Sequence, residues 1–107
     1  MNADTLRGNL EGMLLSVLES GQLHGYAVIE ELKRRSGEAI NLPTGTVYPA
    51  LHRLEAAGLI DSEWGRHNGR RRRNYFLTAA GRRALADKRM AWQEVASVIS
   101  VVLGAEA

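Results

Sequence analysis

The stretch IDSEWGRHNGRRRRNYFL, residues 60–77, contains two alternating segments on either side of an Asn-Gly pair. Asn68-Gly69 is the strongest short-range signal for a β-hairpin, because both residues tolerate the positive φ angles of a two-residue turn. Such a turn sets the pairing of the two strands residue by residue. The predicted pairs are Ile60–Leu77, Ser62–Tyr75 and Trp64–Arg73 on one face, and Asp61–Phe76 and Glu63–Asn74 on the other.

The basic run Arg70, Arg71, Arg72 and Arg73 occupies the tip and the returning strand of this hairpin. Such a run is also typical of a disordered tail or a targeting signal, but here patterned sequence continues on both sides. Trp64 opposite Arg73 predicts a cation–π contact. We interpret the run as a folded surface that binds phosphate, since guanidinium groups hold phosphate oxygens in pairs. The alternative is a solvated strand.

The charge of the chain is unevenly distributed. The whole sequence of 107 residues has a net charge of +2. Residues 66–89 contain nine arginines or lysines and one acid, a net charge of +8, so the remainder carries −6. A basic region on an acidic body indicates a polyanion that binds at one surface.

Length and composition exclude several classes of protein. The length allows one domain with one core, and the absence of cysteine excludes disulfides and thiol chemistry. The N-terminal sequence lacks the pattern of a signal peptide, and no apolar run approaches the roughly 20 residues that span a bilayer. The sequence therefore predicts a soluble, cytoplasmic protein without a membrane partner.

Apolar spacing predicts three helices before the hairpin and one after it. The first covers residues 6–20, with Asp4 or Thr5 as its N-cap. The second runs from Tyr26 to about Arg35, with Tyr26 directed into the core and with His24 making a local hydrogen bond at its start. The third begins at Thr44, its predicted N-cap, and ends before Gly58. Pro49 lies just beyond its first turn, where we expect irregular geometry.

The last helix is predicted from Ala79 to about Leu103, with Thr78 as its N-cap. Its C-terminal part is apolar on more than one face, which a single small core cannot cover, so a partner surface is predicted. Gly8 and Gly12 lie four residues apart in the first helix. They permit close approach of a second helix, or they are simply tolerated small residues.

This order of elements predicts a mainly α fold with a small β-hairpin, a winged helix-turn-helix extended by a long helix. Residues 1–78 form the predicted DNA-binding unit and residues 79–107 the predicted dimerisation helix, within one compact domain. The third helix fits the major groove of duplex DNA, and the hairpin, or wing, then lies on the neighbouring backbone or minor groove.

Three segments resemble the PadR family of bacterial transcriptional regulators. They are LHGYAVIEEL (residues 23–32), GTVYPALHRLEAAGLI (residues 45–60) and GRRRRNYFLTAAGRRAL (residues 69–85). The resemblance implies a homodimeric winged helix-turn-helix repressor that binds a pseudo-palindromic operator in double-stranded DNA. The lack of a large C-terminal domain is similar to the short subgroup, in which one last helix forms the dimer.

The resemblance also implies roles for individual residues. Thr46 and Tyr48 match the family motif that binds backbone phosphate. Amide groups near Thr44 add a phosphate site at the helix N-terminus. His52 and Arg53 are candidates for base-edge or phosphate contacts, with solvated side chains as the alternative. The predicted DNA-binding residues are Thr44, Thr46, Tyr48, His52, Arg53, Arg70, Arg71, Arg72 and Arg73.

Trp92 matches the tryptophan that, in some drug-sensing members, binds flat aromatic ligands between two subunits. Facing indoles leave a flat apolar slot for a planar effector; the alternative is that Trp92 only fills the interface. The predicted effector site consists of Trp92, Val95 and Ile99. The predicted dimer interface consists of Gly8, Gly12, Trp92, Val95, Ile99, Val102 and Leu103.

An enzyme is disfavoured by the residues themselves. His24, His52 and His67 lie on different predicted elements, and the sequence has no glycine-rich phosphate loop and no metal-binding His spacing. We therefore predict no catalytic residues, no metal and no cofactor. A second alternative is a winged helix that binds protein or RNA, which binding to duplex DNA but not to single strands would exclude.

Overall fold

The computed structural model describes Met1 and residues 4–105. Residues 2–3 of the first predicted unit and residues 106–107 of the second lie outside the described part. The elements follow the order α1 (Leu10–Leu18), β1 (Leu23–His24), α2 (Gly25–Arg35), α3 (Thr44–Ala56), β2 (Ile60–His67), β3 (Arg70–Leu77) and α4 (Ala79–Leu103). The predicted winged helix-turn-helix with a long last helix is confirmed. The three strands form an antiparallel sheet in the order β1-β3-β2.

The wing, β2 with β3, has the predicted register along its whole length. Ile60 pairs with Leu77, Ser62 with Tyr75 and Trp64 with Arg73. Asn68 and Gly69 both have positive φ angles, 54° and 76°, which is the geometry of the type I′ turn. The sequence did not predict β1, whose Leu23 and His24 pair with Tyr75 and Asn74.

The first helix is shorter than predicted. It begins at Leu10, with Asn9 at the N-cap position, so Asp4 and Thr5 do not cap it. Gly8 has a φ of 87°, outside the helical region, and residues 4–9 form turns instead. The prediction that Gly8 and Gly12 lie one turn apart on a helix is therefore wrong.

The second helix begins at Gly25, one residue earlier than predicted, and buries Gly25, Val28, Ile29 and Leu32. This stripe follows helical spacing and excludes Tyr26, which is 52% exposed. The prediction that Tyr26 lies in the core is therefore wrong. Glycine takes the inward position because the first turn of α2 packs closely against α3.

The third helix begins at its predicted cap residue, Thr44, one residue earlier than a cap at that position implies. Pro43 is the N-cap residue and Thr44 is the first helical residue, so Thr44 does not cap α3 with its side chain. The Pro43 carbonyl accepts from both Thr46 N, at 3.0 Å, and Val47 N, at 3.2 Å, which tightens the first turn. The helix then continues through Pro49 to Ala56.

The core lies between the first three helices, the base of the wing and the start of α4. Leu14, Leu15, Val47 and Leu51 have no exposed surface. Ile60 and Leu77 close the base of the wing at 1% and 7% exposure.

The last helix covers the predicted residues, and the Thr78 side chain caps it by accepting a hydrogen bond from Gly81 N at 3.0 Å. Only Gly81 and Leu85 of α4 are buried. The helix projects from the body, and the radius of gyration is 15.0 Å, against about 13 Å for a compact domain of this length. No described helix has the length and hydropathy to cross a membrane.

Candidate nucleic-acid interface

A cleft of about 320 Å³ separates α3 from the wing. One stripe of α3, with residues at positions i, i+4 and i+7, faces this wing cleft. Tyr48 and His52 line it from α3, and Trp64, Arg71 and Arg73 line it from the wing. The next residue of the stripe, Glu55, contacts the wing directly through Ser62. The cleft therefore combines aromatic rings with guanidinium groups.

Tyr48 is held in the cleft by the start of α2. A side-chain carbon on Gly25 would overlap the Tyr48 ring, so only glycine allows this approach. The sequence analysis missed this role of Gly25, because the contact joins residues 23 positions apart in the chain.

The start of α3 lies beside the cleft. Thr44 and Gly45 are exposed, and Thr46 is half-buried. The first amide groups of a helix have no acceptor within the helix, and no side chain caps α3. This end therefore offers N–H groups and hydroxyls to an anion.

The two candidate base-contacting residues point in different directions. His52 is exposed and lines the wing cleft. Arg53 lies on the other side of α3, where its Nε is 4.0 Å from the Glu11 carboxylate of α1. Both partners of this pair are exposed, at 63% and 42%, so the pair is weak and Arg53 can exchange Glu11 for another anion.

The arginines of the wing divide between its two faces. The register puts Arg71 and Arg73 on the same face as Trp64, and Arg70 and Arg72 on the opposite face. The Cζ atoms of Arg71 and Arg73 lie 4.5 Å and 5.2 Å from the centre of the Trp64 ring. The predicted contact between Trp64 and Arg73 is confirmed, and Arg71 is nearer to the ring.

Arg73 is also bonded within the protein. Its Nε donates to Ser62 Oγ at 3.0 Å, and its Nη2 lies 3.4 Å from Glu55 Oε2. Ser62 Oγ in turn donates to the same Glu55 oxygen at 2.5 Å. Glu55 and Ser62 were not among the predicted site residues, although the predicted register already put Ser62 diagonally opposite Arg73.

A pair of histidines lies at the junction of the wing with α2. His24 Nδ1 accepts a hydrogen bond from Ala27 N at 3.2 Å and so caps α2, which confirms the predicted local bond. The His24 and His67 rings are 4.7 Å apart. Burial lowers the pKa of His24, and the charges of Arg72 and His67 lower this pKa further.

The C-terminal half of α4 is the second exposed surface of unusual composition. Its apolar side chains extend from Trp92 to Leu103. Their exposed fractions are 58% for Trp92, 50% for Val95, 49% for Ile99, 79% for Val102 and 72% for Leu103. Of the two glycines predicted to join them, Gly8 lies in a turn, and Gly12 faces Lys88 of its own α4.

The fold agrees with that of known proteins. A model of the PadR-like family of transcriptional regulators matches residues 14–87, which include the helix-turn-helix, the wing and the start of α4. The chain belongs to this family. PadR-like regulators bind DNA and are not enzymes, which confirms the predicted class.

Individual relatives extend the agreement over most of the chain. The Mycobacterium tuberculosis protein "Transcriptional regulator Rv3488" is 45% identical over 75 residues, 70% of this PadR-like chain and 67% of that protein. A transcriptional regulator from Clostridium thermocellum has a TM-score of 0.84 at 30% identity and covers 92% of this chain and 96% of its own. A PadR family transcription regulator from Clostridium difficile has a TM-score of 0.79 at 31% identity, covering 90% and 99%.

Proposed function

We propose that this PadR-like regulator is a cytoplasmic homodimeric repressor that binds a pseudo-palindromic operator in double-stranded DNA. The start of α3 enters the major groove, and the wing lies on the neighbouring backbone. Residues 79–107 join the two copies, and a planar aromatic effector releases the DNA.

The wing cleft is the observation that carries the proposal. It brings the exposed face of α3 together with Arg71 and Trp64 of the wing. Arg71 is exposed, and its guanidinium group lies beside an aromatic ring. Such a surface fits a polyanion, and the two elements that form it are the pair that a winged helix applies to duplex DNA.

The proposal assigns roles by position on this surface. Thr44, Thr46, Tyr48 and the first amides of α3 bind backbone phosphate. His52 and Arg53 lie one turn or more further along the helix and contact base edges or phosphate. Arg70, Arg71, Arg72 and Arg73 provide the charge of the wing, with Arg71 as the direct phosphate ligand.

The apolar half of α4 supports the dimer. Trp92, Val95, Ile99 and Val102 recur at spacings of three and four residues, so they form one stripe on an exposed helix. An apolar stripe of this length favours burial against a second copy of itself. Gly8 and Gly12 remain part of the proposed interface. Gly8 lies in a turn, where an added side-chain carbon would meet open space, and Gly12 lies beside Lys88 of its own α4.

The proposed effector site lies at Trp92. A planar aromatic ligand between two Trp92 side chains releases DNA only if it binds the DNA-competent and incompetent dimers unequally. A Trp64→Phe variant leaves Trp92 as the only tryptophan. Rhodamine 6G, a planar aromatic cation, is expected to quench its fluorescence saturably and to lower DNA affinity. The absence of both effects would leave Trp92 as a packing residue only.

Selection of binding sites from a pool of random duplexes tests the DNA-binding part of the proposal. The expected result is an inverted repeat with half-sites about 10 base pairs apart, or a multiple of that spacing. The same selection with an Arg71→Ala variant is expected to recover fewer bound duplexes than with the wild type. Arg34→Ala is the control, because Arg34 is an exposed arginine nine residues along α2 from Gly25, roughly 13 Å from the cleft. Equal binding to single-stranded DNA or RNA would favour the alternative of an interaction module without an operator.

A further inference from the structure

Arg71 and Arg73 occupy the same face of β3, but the protein surrounds them differently. Arg73 donates from Nε and Nη2 to acceptors of its own chain, Ser62 and Glu55. Among the described residues, the Arg71 side chain has no hydrogen-bond or ion-pair partner, and its Cζ lies 4.5 Å from the centre of the Trp64 ring. The two arginines therefore differ in what they can give to DNA.

Glu55, Ser62 and Arg73 link α3 to the wing. Glu55 lies in the last turn of α3, Ser62 on β2 and Arg73 on β3, so three elements meet in one polar cluster. The Glu55 and Arg73 side chains are only 27% and 40% exposed. A carboxylate and a guanidinium with a shared hydroxyl hold each other more firmly than a fully exposed ion pair does.

Trp64 connects this cluster to Arg71. Arg73 stacks on Trp64 from the paired position, and Arg71 stacks on the same ring from the diagonal position. A fixed indole restricts the rotamers of Arg71, and a side chain that is ordered before binding loses less entropy on binding.

We infer that Arg73 is a positioning residue: with Glu55 and Ser62 it fixes the angle between α3 and the wing, and through Trp64 it orients Arg71 toward phosphate. This inference rests on the proposed DNA-binding function. The inference gives Glu55 a structural role. The negative charge of this carboxylate would by itself repel DNA phosphate. The inference also separates two neighbouring arginines into one that binds DNA and one that does not.

The test compares Arg71→Gln with Arg73→Gln, which remove the same charge from the same face of one strand. Affinity for a fluorescein-labelled mixed-sequence duplex of about two helical turns is measured by anisotropy as salt increases. A lost phosphate contact flattens the slope of log K against log salt by about 0.9. When the salt concentration rises fourfold, the affinity of the wild type should therefore fall by a factor about 3.5 times larger than that of Arg71→Gln. Arg73→Gln is expected to bind more weakly at every salt concentration, with the wild-type slope.

A double variant, Glu55→Gln with Arg73→Gln, keeps the net charge of the wild type and allows an amide pair to replace the ion pair. We expect it to recover part of the affinity that Arg73→Gln loses. Fluorescence of Trp64 in a Trp92→Phe background is expected to shift in Arg73→Gln and to return toward the wild type in the double variant.

Equal flattening of the slope by Arg73→Gln and Arg71→Gln, without recovery in the double variant, would make Arg73 a phosphate ligand and overturn the inference alone. A wild-type protein without salt-dependent duplex binding would overturn the proposed function instead. If neither substitution changes the slope, Arg71 is not a phosphate ligand and the inference is equally wrong.

Discussion

The wing cleft and the C-terminal half of α4 are both exposed, but their side chains interact differently with water. Exposed hydroxyl and guanidinium groups can exchange hydrogen bonds with water for hydrogen bonds with a ligand at a small net change in free energy. The apolar side chains of the α4 stripe form no such hydrogen bonds. Their contact with water has a free-energy cost of about 25 cal/mol for each Å² of exposed apolar surface. The stripe therefore favours a permanent partner, whereas the cleft can bind a partner and release it.

The largest effect is expected from charges placed on the apolar stripe. Ile99→Asp with Val102→Asp would bury two carboxylates in the proposed interface, so the protein should sediment as a monomer. Loss of simultaneous binding to two half-sites should lower operator affinity about a hundredfold to ten-thousandfold. Ser97→Asp is the control, since position 97 lies about 200° around the helix from Ile99. A dimer that survives the double substitution would contradict the proposed interface.

The next largest effect is expected from substitutions at the junction between the body and α4. A side-chain carbon on Gly81 would collide with the Leu59 carbonyl oxygen, whereas one on Gly45 would meet open space. Gly81→Ala should lower the free energy of unfolding by about 3 kcal/mol, and Gly45→Ala should raise it by up to about 1 kcal/mol. Chemical denaturation measures both. Equal effects would mean that the start of α4 moves freely on the body.

Substitutions in the cleft should weaken DNA binding and leave the fold intact. Thr46→Ala and Tyr48→Phe each remove one hydroxyl from the proposed phosphate site, so each should weaken duplex binding by about 1 kcal/mol. Gly25→Ala should weaken it as well, because the new methyl group displaces the Tyr48 ring. Anisotropy titrations measure the binding, and circular dichroism checks the fold. Unchanged affinity in all three variants would remove the start of α3 from the interface.

The smallest effect concerns pH. Folding lowers the pKa of His24 from 6.5, chiefly through burial and then through Arg72 and His67. Neutral His24 therefore stabilises the fold above pH 6.5, and this contribution is lost as the pH falls through the lowered pKa. Protonation also removes the Nδ1 acceptor that caps α2.

A His24→Asn variant keeps an N-cap acceptor but does not titrate. Its unfolding free energy should fall less than that of the wild type between pH 7 and pH 5. Parallel curves for the two proteins would show that protonation of His24 has no influence on stability.

Local sequence patterns determined most elements of this protein. Asn68-Gly69 specified the turn, and the alternation around it specified the register of the wing, because a hairpin with a two-residue turn has only one pairing. Thr78 and Gly58 likewise marked the start of α4 and the end of α3 through their own backbone preferences. The DNA-binding class also followed from the sequence, since the basic run and the helix order lie in contiguous segments.

Tertiary packing decided what local pattern could not. Tyr26 had suitable spacing for the core, but the contact of Tyr48 with Gly25 turned the buried stripe of α2 away from it. Arg71 and Arg73 are alike in sequence. Arg73 differs because Ser62 of β2 and Glu55, which approaches from α3, both accept its hydrogen bonds. The physical reason is the same in both cases: burial and hydrogen bonding depend on which distant group lies opposite a residue, and the spacing along one segment does not contain that information.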